Sequence, residues 1–139
     1  MIERINSFIW AGWSINNFCV DADHEKIVIE LEKYTVSVEK PEVFASILCD
    51  NFIGFSFIGH WDESAVEHLR IEAKGEVINA SLRTVKRLYG ELPSPVPLPF
   101  GEMKTVDSAW YQLNIVLTDG SRLNVACRGF VFKDRMELA

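Results

Sequence analysis

Residues 110–127 read WYQLNIVLTDGSRLNVAC, two alternating apolar segments on either side of Asp119-Gly120. Alternation with a period of two marks half-buried strands, and the Asp-Gly pair between them marks a hairpin turn. A two-residue loop would pair Leu117 with Arg122 and Ile115 with Asn124, mixing apolar and polar side chains on each face. A three-residue loop, Thr118-Asp119-Gly120, instead pairs Ile115 with Leu123, Leu113 with Val125 and Tyr111 with Cys127, leaving one face wholly apolar. Register follows this matching, because a slip of one residue turns every side chain over. Such a loop needs a left-handed residue after its turn, and Gly120 supplies one without steric cost. The six apolar residues are expected to form one layer beneath a helix.

That helix is read in EVINASLRTVKRLYG (76–90), where Ile78, Leu82, Val85 and Tyr89 recur at helical spacing, an acid opens the first turn and Gly90 closes the last. Between helix and hairpin, ELPSPVPLPFG carries prolines at 93, 95, 97 and 99. Alternate prolines remove backbone donors and favour extended polyproline-like chain, so a stiff connection is expected there, not a strand. Upstream, SINNFCV (14–20) pairs with KIVIELEK through the polar DADHE connection. In KIVIELEKYTVSVEK (26–40) the apolar phase slips near Glu32-Lys33, which predicts a bulge or bend in a continuing strand. VFASILC (43–49) and FSFI (55–58) read as further strands, and SAVEHLRIEA (64–73) leans to strand over helix. The fold class is therefore α+β, with a curled, mainly antiparallel sheet of about six to eight strands and one principal helix (76–89) packed on one face. At 139 residues, one domain spanning 1–139 is expected.

Charge and composition narrow the function classes. A formal net charge of −6 disfavours nucleic acid, whose binders present a basic face. No stretch approaches the ~20 apolar residues that span a bilayer, and the N-terminus makes a poor signal peptide, so no membrane contact is expected. Cys19, Cys49 and Cys127 are too few and too scattered for a disulfide framework and form no C-x-x-C pair. They read as buried free thiols in a reducing compartment, and the expected location is cytoplasmic.

The densest polar cluster is GFSFIGHWDES (54–64). Asp62 could orient His60 as a general base, or His60 and Glu63 could ligate a metal. A catalytic zinc needs three protein ligands, and no H-E-x-x-H or comparable set accompanies the cluster, so neither metal nor cofactor is expected. GFSFIG places Ile58 where a nucleophile elbow needs glycine. SVEK (37–40) would put Ser37 and Lys40 on opposite sides of a strand. DADHE has calcium-loop spacing, but Lys26 stands where such a loop needs glycine. Arg83, Lys86 and Arg87 cluster on the helix, where they read as a solvated face.

GFSFIGHWDES together with WYQLNIVLTDGSRLNVAC resembles a family of small bacterial single-domain proteins of unassigned function, over roughly residues 43–130. The resemblance implies no catalytic residue. By analogy of shape it extends to immunity proteins that neutralise partner toxins. The leading expectation is a non-enzymatic module that binds another protein through Trp13, Trp61, Asp62 and Glu63, since aromatics anchor interfaces and charge speeds encounter. The second is a small-molecule or enzymatic pocket near His60 and Asp62, and the third a homodimer formed through an uncovered sheet edge.

Overall fold

The computed structural model describes residues 1–33, 43–60, 65–89, 95–97, 103–105 and 109–136. Its elements run α1 (Ile2–Ser7), β1 (Ser14–Asp21), β2 (Lys26–Lys33), β3 (Val43–Asp50), β4 (Gly54–Ile58), β5 (Val66–Glu72), α2 (Glu76–Tyr89), β6 (Pro95–Pro97), β7 (Met103–Thr105), β8 (Tyr111–Leu117), β9 (Arg122–Cys127) and β10 (Gly129–Met136). The fold is α+β. Eight strands form two four-stranded sheets, ordered β1-β2-β3-β10 and β4-β9-β8-β5, and β6 with β7 makes a separate ribbon. Every strand pairing among the described residues is antiparallel.

The hairpin that decides the fold forms in the register its apolar face demands. Tyr111 pairs with Cys127, Leu113 with Val125 and Ile115 with Leu123. The loop closes with Leu117 N–H donating to Ser121 O at 2.8 Å and Gly120 N–H donating to Leu117 O at 2.9 Å, with Gly120 at φ +91°. What lies over the apolar layer differs from expectation. Instead of the helix, it is the apolar face of the first sheet, where rows such as Phe18–Ile29–Ile47–Phe132 and Val20–Ile27–Cys49–Phe130 cross the strands. Two sheets that each own a full apolar face bury more area against one another than either could against a single helix. The predicted single curled sheet is thus two stacked sheets, with α2 on the back of one.

That back face holds Gly54, Ala126, Gln112 and Asn124. Ile78 of α2 packs with Ala126 and Trp110, flanked by Ile53, Val77 and Leu82. Gln112 is buried and fixes the start of the helix, its Oε1 accepting the N–H groups of Val77 at 2.9 Å and Ile78 at 3.2 Å. Free N–H groups of a first turn need such an acceptor.

In β1 a bulge between Ile15 and Asn17 shifts the phase, so Ile15 and Phe18 both face inward although they are three positions apart. The bulge expected near Glu32-Lys33 is not found at those two residues, which pair with Phe44 and Val43 in unbroken register; the continuation from residue 34 lies outside the described residues. Of the 64–73 segment, Val66–Glu72 form strand β5. Within the proline-rich stretch, residues 95–97 are a short strand paired with 103–105. Proline is tolerated there because each strand of a two-stranded ribbon has an outer edge that needs no donor.

Candidate functional site: an unguarded sheet edge

Two stacked sheets expose four edge strands, and an edge with unpaired backbone groups invites another strand unless something blocks it. Three of the four carry such a block. Beside β5, Asn6 of α1 imitates a neighbouring strand. Its Oδ1 accepts Ile71 N–H at 2.7 Å and its Nδ2 donates to Ile71 O at 3.0 Å. At the start of β5, Val66 exchanges hydrogen bonds with Gly12 and Trp13. The β10 edge carries the charged run Lys133-Asp134-Arg135, and Arg4 lies over it, paired with Asp134 at 2.6 Å and 4.6 Å above the Phe132 ring. The β1 edge is bent by its bulge at Asn16-Asn17.

The fourth edge, β4, reads GFSFI and has no charge, no proline and no break in its register with β9. Its exposed apolar side chains are large. Phe55 is 44% and Ile58 68% exposed. Phe55 ends the inward row Phe55–Val125–Leu113–Ile71, so no further strand among the described residues covers one side of its ring. Its ring centroid lies 5.6 Å from Phe18 and 6.1 Å from Phe52, and Val20 of β1 is 38% exposed. On the opposite side of β4, a cavity of about 340 Å³ opens between the strand and α2. Small residues line it: Gly54, Ser56, Ala80, Ser81 and Thr84, with Val77 and Glu76. The helix sits close because residue 54 is glycine; a Cβ there would collide with the Ser81 hydroxyl.

The residues singled out from sequence are dispersed. Trp13 is only 3% exposed, locked among Phe8 and Trp10 at ring distances of 5.6 and 5.5 Å, so it is a core residue and not a contact. Alternation could not reveal this, because α1 brings Ile5 and Phe8 over it from outside the strand pattern. Trp61, Asp62 and Glu63 lie outside the described residues. His60 is exposed, and its described hydrogen bonds are made by its backbone: its N–H donates to Ser121 Oγ at 3.0 Å, and Ser121 Oγ donates to its carbonyl at 3.2 Å. Gly59, at φ +127° and pressed on Ser121, ends β4 before it. His60 therefore marks the end of a strand.

His68 is exposed on β5, and His24 pairs with Asp21 in the first hairpin loop, Nδ1 to Oδ2 2.8 Å. Cys49 and Cys127 lie in contact between the sheets, both fully buried, whereas Cys19, expected to be buried, is exposed on β1 because its side chain alternates outward from the inward-facing Phe18. The Cys127 hydrogen bond and burial push the Cys49 thiol well above its ordinary range, away from the reactive thiolate. Among the described residues no three His, Cys, Asp or Glu side chains converge to hold a metal ion. No helix among them is long and apolar enough to cross a membrane.

A second recess, about 480 Å³, lies on the outer face of the first sheet and is lined by Asn16, Val28, Glu30, Phe44, Ser46 and Lys133 among others. Glu30, Ser46 and Lys133 stand in one cross-strand row. Glu30 and Lys133 are two strands apart, roughly 10 Å. Among the described residues Glu30, Ser46 and Lys133 make no hydrogen bond or ion pair with one another.

Sequence inspection passed over Phe55, Ile58 and Glu76. The available signal was the uncharged run GFSFI, but only pairing order shows that it is an edge. No family model, curated protein or solved structure matches the chain.

Proposed function

We propose that the protein is a non-enzymatic binding module whose partner is another protein, engaged at the β4 edge. One observation carries this reading: among the described residues β4 is the edge without a block, and it presents Phe55 and Ile58 to solvent. Exposed aromatic and aliphatic side chains along an edge strand supply the apolar anchor and the directional hydrogen bonds that protein interfaces use. The acidic balance of the chain, −6, favours a basic partner and speeds its encounter. An immunity-type role, in which a small acidic domain neutralises a toxic partner, fits this charge.

The test is capture from native lysate with immobilised wild type, Ile58→Lys, Phe55→Lys and Val131→Lys, the last lying on the outer face of the first sheet. A stoichiometric partner retained by Val131→Lys and lost from folded Ile58→Lys and Phe55→Lys supports the assignment. Loss with Val131→Lys and retention by the β4 variants would move the interface to the other sheet and overturn it.

A further inference from the structure

We infer, resting on the protein-binding reading above, that the partner contributes an extended segment that joins the second sheet as a fifth strand beside β4 and carries a lysine or arginine opposite Glu76. The geometry of the groove specifies the segment. A strand shows alternate side chains to opposite faces, so one beside β4 sends every second residue toward the Phe18–Phe55 opening and the others into the cavity along α2.

The first set meets phenyl rings and the exposed Val20, and therefore wants apolar residues. The second set enters a channel walled by Gly54, Ser56, Ala80, Ser81 and Thr84, whose short side chains leave room for side chains of middle size. Glu76 is the one charged residue among the described residues that line this channel, and it is exposed. Helical spacing puts Glu76, Ala80 and Thr84 on one stripe, so the carboxylate sits at one end of the channel and sets direction as well as sign. A cation on the incoming strand would gain a partner there at the rim of an apolar groove, where screening is weaker than in open water.

The same charge argues against a second copy of this chain as the occupant. Two-fold pairing of β4 with itself would bring two Glu76 channels and two chains of −6 together, with no base among the described residues that line either channel. Like charges facing across an interface oppose association.

The probes are two synthetic peptides that alternate valine and threonine, one with a central lysine and one with glutamate in its place. Each is titrated to millimolar concentration into the full chain while backbone amides are followed by NMR. The lysine peptide is expected to shift the amides of 54–58 and 76–84, to bind at least tenfold more tightly than the glutamate peptide, and to lose most of that preference in Glu76→Gln. Shifts confined to the first sheet, equal affinity for both peptides, or no shift at millimolar peptide would each overturn strand addition. Sedimentation showing a dimer broken by Ile58→Lys would overturn the choice of occupant. If the peptides fail while the β4 variants still lose the captured partner, the protein-binding reading stands and only the mode of docking falls.

Discussion

Asp21 closes the first hairpin loop onto His24. Its Oδ2 lies 2.8 Å from the ring Nδ1 and its Oδ1 accepts the His24 N–H at 3.3 Å. The ring hydrogen bond, chiefly, holds the Asp21 carboxyl below its ordinary value of 3.8. A carboxyl depressed in the folded state stabilises the fold above its unfolded value and loses that contribution as the pH falls through the folded one. Both side chains are exposed, so the effect is small near neutrality. In His24→Ala, carbon-detected titration should find the Asp21 midpoint raised toward the ordinary value; an unmoved midpoint would assign the shift elsewhere. At this scale the sequence was only partly legible. The DADHE loop was read correctly as a hairpin connection, yet the pairing inside it depends on a turn geometry in which Glu25 takes φ +55°, unusual for glutamate.

Among elements, α2 shows how a polar residue on the outward face of a strand can serve the neighbouring layer. Gln112 accepts from two first-turn N–H groups and donates through Nε2 to Asn114 Oδ1 at 2.7 Å. Gln112→Ala leaves those donors buried without an acceptor, at a cost of about 1–2 kcal/mol. Thermal unfolding should fall by several degrees, and the Val77 and Ile78 amides should exchange faster with solvent. Unchanged exchange at those two amides would show that the cap is dispensable. The helix itself was legible from the spacing of Ile78, Leu82 and Val85. Its resting place was not, because the alternation of 111–127 reveals two faces without saying which partner takes each. The short α1 escaped notice for a related reason: six residues are too few for periodicity, and its role emerges only from Ile5 in the core and Asn6 on the β5 edge.

For the molecule as a whole, the core is shared. Ile47 of β3 and Leu113 of β8 belong to opposite sheets, and both are completely buried in the same cluster. Either residue changed to alanine should cost about 2–5 kcal/mol, the range for a large aliphatic side chain replaced by a cavity. Because each sheet completes the other's apolar face, hydrogen exchange in Ile47→Ala should rise in the β8–β9 hairpin as well as in β3. Faster exchange confined to β3 would mean that the sheets open independently. The sandwich is closed differently along its two sides. On one, α1 and the Phe8, Trp10, Trp13 and Phe132 rings fill the opening next to β5 and β10. On the other, Phe18 and Phe55 meet at the rim, and Phe55 stays half exposed.

The chain's own pattern determined strands β1 to β5, the β8–β9 hairpin with its three-residue loop and the long helix, though not β10 or the β6–β7 ribbon, since the former follow from local periodicity and from residues such as Gly120 that suit a specific backbone conformation. Tertiary structure alone decided that there are two sheets, that the hairpin's apolar layer faces the other sheet while α2 takes its back, that Trp13 is interior, and that β4 is an edge. Those outcomes rest on pairings between residues as far apart as Ile47 and Phe132, or Phe57 and Leu123. Periodicity says that a strand has an apolar side; it cannot say which strand will lie next to it, and the unguarded edge is a property of that order.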